Sequence, residues 1–382
     1  MTRSNHTEPL GNSVARAVPI RLIGDAQARG RGHGLSGSMA ASTVRAAVAG
    51  QVELARAEGL IDADGEAYLS EQRAFHDQAD PLSLQEIAGI AEGFGMAMAD
   101  VFAHLHLSLL RARKRLVETQ QDGCSAWAIA AGSDGPMLVK NRDLAGRNFG
   151  VQRIMLHAGP DIEGGPMLCV GSLGSPAAYS SGINAWGLAL ADTHIEAPQP
   201  GIGWLRYFLM TRLLASCRSV VEAVAVIRAA THAGGGSLIL VDRGGAVACV
   251  DFTGPRATVT AAPLVWRTNH YPQLAQGAGD GDSISGTSRA RFTFLERTLP
   301  RQTFWRPAEA ASLMTTHSSP FVEGSLLCAH RDTGAAETLS CAIYTCRDGR
   351  LLFSDGNPCL GRWARYDTDG PPSDGLASAH PK

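Results

Sequence analysis

The sequence has little charge and no long hydrophobic run, and both shortages exclude classes of protein. Charged residues make up 18% of the 382 residues, and the formal net charge is −2. So small a charge gives no overall attraction for nucleic acid, and the short arginine clusters do not form a basic stripe. The sequence contains no run of roughly eighteen apolar residues, the length that a membrane-spanning helix needs. The polar N-terminus lacks the apolar core of a signal peptide. We therefore expect a cytoplasmic protein without nucleic-acid or membrane partners.

The eight cysteines include no C-x-x-C pair, which is a common spacing in zinc and redox sites. Cys341 and Cys346 are the closest two, and scattered cysteines of this kind are typical of reduced, buried thiols. His104 and His106 have i,i+2 spacing, which on a helix directs the two rings apart. The sequence therefore predicts no metal site, no redox centre and no bound cofactor.

Composition divides the chain into four regions. Residues 1–18 and 367–382 are rich in Pro, Gly, Ser and polar residues and are predicted to be disordered tails. Residues 19–123 have mostly helical periodicity, and residues 124–366 carry short β-like runs with a few helices between them. Sequential strands with separately grouped helices favour a layered α+β fold over alternating βαβ units.

A glycine-rich stretch, GHGLSG at residues 32–37, matches the dinucleotide-binding pattern G-x-G-x-x-G. The apolar run before it is short, and the residue about twenty positions later lies in a predicted helix and not at a strand end. We interpret the stretch as a flexible turn before the first helix, and not as a nucleotide site.

Cys124 follows Gly123 at the start of a predicted hairpin. Residues 132–135, Gly-Ser-Asp-Gly, separate two apolar runs and favour a turn. A turn over the two central residues places Cys124 directly opposite Asp143, and a turn one residue later makes the pair diagonal. Either register leaves thiol and carboxylate within roughly 5–8 Å if they share a face. A cysteine preceded by glycine and faced by an acid is a candidate autoprocessing nucleophile, although cysteine alone is more often a small core residue.

Further motifs extend this pattern along the chain. After Asp-Gly-Cys at 122–124 come Asn-x-Asp at 141–143, Gly-Ile-Asn-x-x-Gly-Leu at 182–188, Thr-Asn-His at 268–270, Ser-Arg at 288–289 and Gly-Asn-Pro-Cys at 356–359. With a glycine-rich signature near residue 30, they resemble the acyl-coenzyme A:6-aminopenicillanic acid acyltransferase family of N-terminal nucleophile cysteine hydrolases. The resemblance covers roughly residues 20–365 in order. It implies an α+β fold, a four-layer αββα sandwich of the N-terminal nucleophile hydrolase type.

The resemblance implies that the chain cuts its own Gly123–Cys124 bond. Residues 19–123 would then form a mostly helical N-terminal chain, and residues 124–366 a catalytic chain that keeps the first as its partner. The new α-amine of Cys124, with an ordinary pKa of about 8, would accept and donate the proton. Cys124 would attack a small-molecule acyl amide or acyl thioester, and acyl-CoA is a candidate co-substrate.

The resemblance also assigns roles to four other residues. Asp143 would orient the α-ammonium through a charge-assisted hydrogen bond. Asn269 would donate to the oxyanion. Lys140 falls where relatives have an arginine near the nucleophile and would favour the thiolate, and Arg289 matches a supporting arginine. A surface or strand-edge cation fits Lys140 and Arg289 equally well.

One departure concerns the second oxyanion donor. Relatives carry an asparagine near the position of Thr193 or His194, so one of these two would replace it. Asn184 is a further substrate-site candidate, but it fits a turn between strands better. The aromatic residues that either line an acyl pocket or belong to the core are Tyr179, Trp186, Trp204, Tyr207 and Phe208.

Two functions remain open at this level. The first is an amidohydrolase or acyltransferase with a cysteinyl acyl-enzyme, and the residues do not separate hydrolysis from acyl transfer. The alternative is a non-catalytic small-molecule-binding protein on the same scaffold. The joint presence of Cys124, Asp143 and Asn269 argues against it.

Overall fold

The structure is a computed structural model that describes residues 14–116, 123–144, 150–197, 199–272, 284–320, 326–330 and 336–368. The helices of these residues are α1 (Ala26–Ser36), α2 (Ala41–Ala57), α3 (Ala63–Ala79), α4 (Pro81–Phe94), α5 (Met98–Leu105), α6 (Leu107–Arg113), α7 (Arg206–Ser216), α8 (Val220–Ala229), α9 (Gly286–Thr298) and α10 (Pro307–Met314). Among the described residues, no helix is both long and apolar enough to cross a membrane.

The strands form two sheets. They are β1 (Ala15–Arg16), β2 (Ile20–Ile23), β3 (Gly123–Ile129), β4 (Met137–Leu144), β5 (Gln152–Ala158), β6 (Met167–Ser172), β7 (Ser181–Asn184), β8 (Ala189–Ile195), β9 (Gly235–Val241), β10 (Val247–Thr253), β11 (Arg256–Ala261), β12 (Leu264–Arg267), β13 (Glu337–Thr345), β14 (Arg350–Asp355) and β15 (Trp363–Asp367). One sheet has seven strands in the order β1-β15-β14-β13-β4-β3-β12, and the other has eight in the order β11-β10-β9-β8-β7-β6-β5-β2.

The two sheets pack face to face with helices on both outer faces. Between them lies an apolar cluster that includes Ala126 and Leu138 from the seven-stranded sheet and Leu168 from the eight-stranded sheet. Helices α9 and α10 bury their apolar faces on the outside of the first sheet, and α7 and α8 on the outside of the second. Helices α2–α6 form a further cluster. The predicted four-layer αββα arrangement is confirmed.

The glycine-rich stretch at residues 32–37 lies largely within α1, so the flexible-turn interpretation is wrong. Its helix packs unusually close to α4. A Cβ added at Gly30 would lie 2.1 Å from the carbonyl oxygen of Glu86, and one added at Gly34 would lie 2.4 Å from the carbonyl carbon of Gly93. The glycines therefore serve backbone-to-backbone helix packing, which local sequence patterns do not reveal.

The predicted tails extend too far into the fold. Ala15 and Arg16 form β1, which pairs in parallel with Ala364 and Arg365 of β15. Asp367 ends β15 and Thr368 hydrogen-bonds to Gly349. This pairing orders both ends, whereas residues 1–13 and 369–382 of the predicted tails lie outside the described residues. The division at 123–124 stays a prediction.

The β3–β4 hairpin exists, but its register is neither of the two expected. Gly123 pairs with Asp143, and Cys124 pairs with Arg142. The ladder ends at the Ile129–Met137 pair, and the next amide, that of Ala130, donates to Pro263, which precedes β12. Residues 130–136 therefore form a longer loop in place of a two-residue turn, and this shifts the pairing by one residue.

Candidate functional site

Cys124 lies at the start of β3 and is 7% exposed. Alternation along the strand places its side chain on the same face as Ala126, which belongs to the cluster between the two sheets. The thiol is therefore directed into the inter-sheet space near the edge of the seven-stranded sheet. All eight cysteines are free, as predicted, and Cys359 is the one that is not fully buried.

Asp143 lies beside Gly123 on the opposite face from the thiol. A Cβ built on Gly123 would lie 2.9 Å from a carboxylate oxygen of Asp143, and the other carboxylate oxygen accepts a 2.7 Å hydrogen bond from Thr338 Oγ1. Gly123 has no positive φ, so the site requires glycine for space and not for backbone strain. The carboxylate thus adjoins the Gly123–Cys124 junction and not the thiol.

Asn269 contacts the nucleophile residue directly. Its Oδ1 accepts a 2.8 Å hydrogen bond from the backbone N–H of Cys124, and its Nδ2 donates at 2.9 Å to the carbonyl of His194. Ser288 Oγ accepts from the backbone N–H of Asn269 at 2.9 Å. The side chain is therefore fixed between the two sheets. Its amide group has two N–H bonds and donates one of them to His194, so one further donor remains.

Arg291, and not Arg289, reaches Cys124. Its guanidinium donates to the carbonyl oxygen of Cys124, to Ser125 Oγ at 2.9 Å and to Asn269 Oδ1 at 3.0 Å. Burial lowers the pKa of Arg291, against the attraction of Asp143 and Cys124. Arg289 lies on the exposed side of α9.

The helical period could have identified this arginine. Ser288 is buried, and a residue three positions later lies on the same helix face, whereas a residue one position later is rotated by about 100°. Sequence reasoning followed the Ser-Arg motif and so selected Arg289.

Arg142 is a second residue that sequence reasoning missed. It lies directly across from Cys124 in the ladder and is 6% exposed. Its guanidinium donates to Ser172 Oγ at 3.0 Å and lies 5.2 Å from the centre of the Tyr179 ring. Strand pairing in the observed register is the signal that identifies it.

Lys140 is buried, but its contacts lead to the other sheet. Its ammonium donates to the carbonyl of Ser180 at 3.1 Å and forms an ion pair with Asp192. Arg206 Nε lies 2.7 Å from the second carboxylate oxygen of Asp192. Burial alone raises the pKa of Asp192, but these two cations hold it below its usual value. Lys140 therefore joins the two sheets, and this pairing excludes the surface-cation alternative.

The three oxyanion and substrate candidates separate in the structure. Thr193 is fully buried, and its Oγ1 has no hydrogen-bond partner among the described residues. His194 offers its carbonyl to Asn269, while burial and the charge of Arg206 lower the pKa of its ring to about 3. Asn184 donates to the carbonyls of Leu214 and Cys217 at the end of α7 and accepts from the backbone N–H of Leu188 in its own turn.

A small crevice lies beside this site. Among the residues that line it are Leu105, Leu109, His194, Trp204, Leu205, Arg206, Tyr207 and Phe252. Burial lowers the pKa of Arg206, but Tyr207, Asp192 and Cys124 raise it to above its usual value, which places the guanidinium in the electrostatic range of the nucleophile. The crevice is mainly apolar and aromatic, with the cationic Arg206 and the neutral ring of His194 at its border.

Two of the five aromatic candidates line this crevice. Trp204 and Tyr207 do so, and Tyr179 packs on Tyr207 with ring centres 4.3 Å apart. Phe208 is fully buried in the helical cluster. Trp186 is not among the lining residues. It lies beneath Arg218, 4.9 Å from its guanidinium.

The prediction of no metal site meets a contrary observation away from Cys124. Side chains of His317, Cys328, His330 and Cys359 offer ligand atoms that all lie within 4.8 Å of one another. Their long and irregular sequence spacings match no zinc motif, and only the tertiary fold assembles them.

Comparisons with known proteins place the chain in a family. A family model described as acyl-coenzyme A:6-aminopenicillanic acid acyl-transferase matches residues 130–359, well over half of the chain. No curated protein matches the sequence.

Several solved structures resemble the chain at low identity. A mutant conjugated bile acid hydrolase from Clostridium perfringens is 13% identical, with 61% of this chain and 89% of that chain covered and a TM-score of 0.41. Penicillin V acylase from Agrobacterium tumefaciens is 16% identical, with 61% and 83% covered and a TM-score of 0.40. A Caenorhabditis elegans ortholog of N-acylethanolamine-hydrolyzing acid amidase is 12% identical, with 59% and 93% covered and a TM-score of 0.40. By the family match, the chain belongs to the acyl-coenzyme A:6-aminopenicillanic acid acyl-transferase family and is an enzyme.

Proposed function

We propose that the protein is a self-cleaving N-terminal cysteine enzyme that hydrolyses or transfers the acyl group of a small amide or thioester. The observation that carries the proposal is the hydrogen bonding around one peptide junction. Asn269 and Arg291 bind the backbone N–H and carbonyl of Cys124, and Asp143 adjoins Gly123 on the preceding side. In a core cysteine of a sheet, neighbouring strands supply the partners of the backbone N–H and carbonyl, whereas here polar side chains do so.

Self-cleavage begins with attack of the Cys124 thiol on the carbonyl carbon of Gly123. The new S–C bond forms as the C–N bond of the junction breaks, and the thiol proton ends on the released nitrogen. Water then hydrolyses the thioester, which releases the carboxyl group of Gly123 and regenerates the thiol of Cys124, whose α-amine is already free. Asp143 supports this amine through its position beside the junction, and Asn269 Oδ1 already accepts from the same nitrogen.

The mature reaction uses the same thiol with the α-amine as base. The amine accepts the thiol proton as the sulfur attacks the substrate carbonyl, and returns it to the leaving amine or thiol. The second N–H of Asn269 and the hydroxyl of Thr193 are the proposed oxyanion donors, since neither has another described partner. Cationic Arg142 and Arg206 favour the thiolate.

The crevice beside the site receives the acyl group. Its aromatic and aliphatic lining favours an apolar acyl chain or ring, while Arg206 at its border suits a polar or anionic end. Helices α5 and α6 contribute Leu105 and Leu109 to this wall, so residues before the cleavage point remain part of the binding site. The N-terminal fragment therefore stays bound after cleavage.

Intact mass after expression tests self-cleavage. We expect two fragments, one ending at Gly123 and one beginning at Cys124, that elute together from a sizing column. The Cys124→Ala variant stays uncut, whereas Cys217→Ala, which removes a buried thiol elsewhere, is cut like the wild type. An uncut wild-type chain, or a cut Cys124→Ala chain, contradicts the proposal.

Partitioning of the acyl-enzyme separates the two reactions. A mature transferase gives an amide product that rises with added amine while the free acid falls, and acyl-CoA serves as donor. A hydrolase gives the free acid at every amine concentration. A cut protein whose Cys124 stays unacylated by amide and thioester substrates favours the binding-protein alternative.

A further inference from the structure

Four potential metal ligands converge beside the start of β13 and the end of β14, away from the inter-sheet space that holds the thiol of Cys124. Cys328 Sγ lies 3.7 Å from Cys359 Sγ, and His330 Nε2 lies 3.3 Å from Cys359 Sγ and 3.8 Å from Cys328 Sγ. His317 Nε2 lies 2.9 Å from His330 Nε2. Each residue thus offers one sulfur or nitrogen to a common centre.

These separations fit a tetrahedral zinc ion. With Zn–S near 2.3 Å and Zn–N near 2.0–2.1 Å, a tetrahedron has edges of about 3.8 Å between sulfurs, about 3.6 Å between sulfur and nitrogen, and about 3.3 Å between nitrogens. The S–S separation lies within about 0.1 Å of its value, and the two separations from His330 to the sulfurs lie about 0.3 Å below and about 0.2 Å above theirs. The N–N separation is shorter by about 0.4 Å, and the separations from His317 to the sulfurs are at most 4.8 Å. The two sulfurs are too far apart for a disulfide, whose bond is about 2.05 Å long.

The surroundings fix both cysteines in place. Asn357 Nδ2 donates to Cys328 Sγ at 3.8 Å and to the carbonyl of Ala329 at 2.8 Å. Asn357 also precedes the short helical turn Pro358–Leu360 that carries Cys359. One amide side chain therefore links the two segments that bring the thiols together. Hydrogen-bonding groups around metal centres orient the ligands in the same way.

Charge and access also suit a divalent cation. Two thiolates neutralise Zn²⁺, so the complex carries no net charge in a half-buried position, and binding releases the two thiol protons. Cys328 is 1% exposed, whereas His317 is exposed and His330 and Cys359 are half-buried. An ion can therefore enter and leave by the histidine side.

We propose that His317, Cys328, His330 and Cys359 bind one structural Zn²⁺ ion. The ion links Cys359 to Cys328 and His330, which lie before β13. Asp143 on β4 is hydrogen-bonded to Thr338 of β13. Ala329 exchanges two hydrogen bonds with Thr338, at 2.9 Å to its Oγ1 and 3.0 Å from its backbone N–H, and Thr338 Oγ1 donates to Asp143. The zinc site thereby stabilises the position of a carboxylate in the proposed catalytic site without contacting substrate.

Metal analysis of the full-length protein, purified without a histidine tag and dialysed against excess ZnCl₂ and then metal-free buffer, tests the proposal. We expect one zinc per chain. After chelation and refilling with CoCl₂, we expect visible bands of tetrahedral cobalt and a near-ultraviolet sulfur-to-cobalt charge-transfer band. Less than a tenth of an equivalent of zinc in the wild type, or an intact Cys328–Cys359 disulfide by mass, overturns the proposal.

Ligand variants give a second test that does not depend on catalysis. His317→Gln removes an exposed ligand, so folding is retained, and zinc affinity falls by at least roughly tenfold. Cys359→Ser also abolishes the charge-transfer contribution of its sulfur. His104→Gln is the matched control, because His104 lies on α5 and outside the cluster. Unchanged affinity in both ligand variants contradicts the site, and this outcome is independent of whether the Gly123–Cys124 bond is cut.

Discussion

At the scale of single residues, polar atoms buried beside Cys124 distinguish a reactive cysteine from a core cysteine. Burial raises the pKa of the thiols of Cys249 and Cys341 well above the ordinary value, and the Cys249 thiol also donates to Asp251 at 3.6 Å. Cys124 instead has its backbone bound by Asn269 and Arg291. Its neighbours are arranged for chemistry at that residue.

Arg291→Lys should slow both self-cleavage and turnover by about 10- to 100-fold, because an ammonium cannot reproduce the planar set of hydrogen bonds to Cys124, Ser125 and Asn269. Arg289→Lys is the matched control and should change either rate by less than about twofold. Time-resolved intact mass and kcat/KM of the mature protein give the two readouts. Equal effects of the two substitutions would contradict the assignment.

Thr193→Val tests the second oxyanion donor with little change in shape. Loss of the hydroxyl should lower kcat by about 10²-fold with little change in KM, since the donor acts in the transition state. Thr345→Val is the control, because Thr345 is a buried threonine whose Oγ1 also lacks a partner among the described residues, but it lies at the far end of β13. A fall in kcat/KM in both variants would indicate a structural cause and not the loss of an oxyanion donor.

At the scale of elements, the contact between α1 and α4 is made by glycine. The two backbones approach so closely that Gly30 lies against Glu86 and Gly89 lies against Gln27, where added Cβ atoms would each fall 2.1 Å from a carbonyl oxygen. Such spacing joins the first helix to the helical layer without large side chains. The glycine signature near residue 30 thus has a packing role in this protein.

Gly30→Ala should lower the free energy of unfolding by about 3 kcal/mol, because the two helix backbones must separate to admit the methyl group. Gly50→Ala in α2 is the matched control. Nothing lies within 4 Å of its added Cβ, so the better helix propensity of alanine should raise stability by about 0.5–1 kcal/mol. Urea unfolding measures both, and a neutral Gly30→Ala would contradict the close contact.

At the scale of the whole molecule, many histidines are buried as neutral rings. Burial, as the first cause, lowers the pKa of each of the following to about 3 or 4: His33, His76, His106, His232 and His270. The unfolded chain binds protons on these residues below pH 6.5 and the folded chain does not. Stability is therefore complete above pH 6.5 and falls as the pH decreases toward 4.

His76 offers a specific test of this acid sensitivity. Neither ring nitrogen has a hydrogen-bond partner among the described residues, and its ring lies 4.9 Å from that of Phe208. His76→Phe should remove one proton from the uptake on unfolding, which reduces the slope of stability against pH by about 1.4 kcal/mol per unit between pH 6 and 4. Urea unfolding at several pH values measures the slope. An unchanged slope would contradict the neutral state of His76.

The sequence by itself determined the local features of this protein. Alternation and helical periodicity identified most strands and helices, because these patterns depend on neighbouring residues. Ordered motifs indicated the family and the candidate site residues Cys124, Asp143 and Asn269. Only the tertiary structure decided which side chains meet. It selected Arg291 over Arg289, paired Cys124 with Arg142, and brought together four proposed metal ligands, the first His317 and the last Cys359. Each of these contacts joins separate segments of the chain, so no local pattern indicates it.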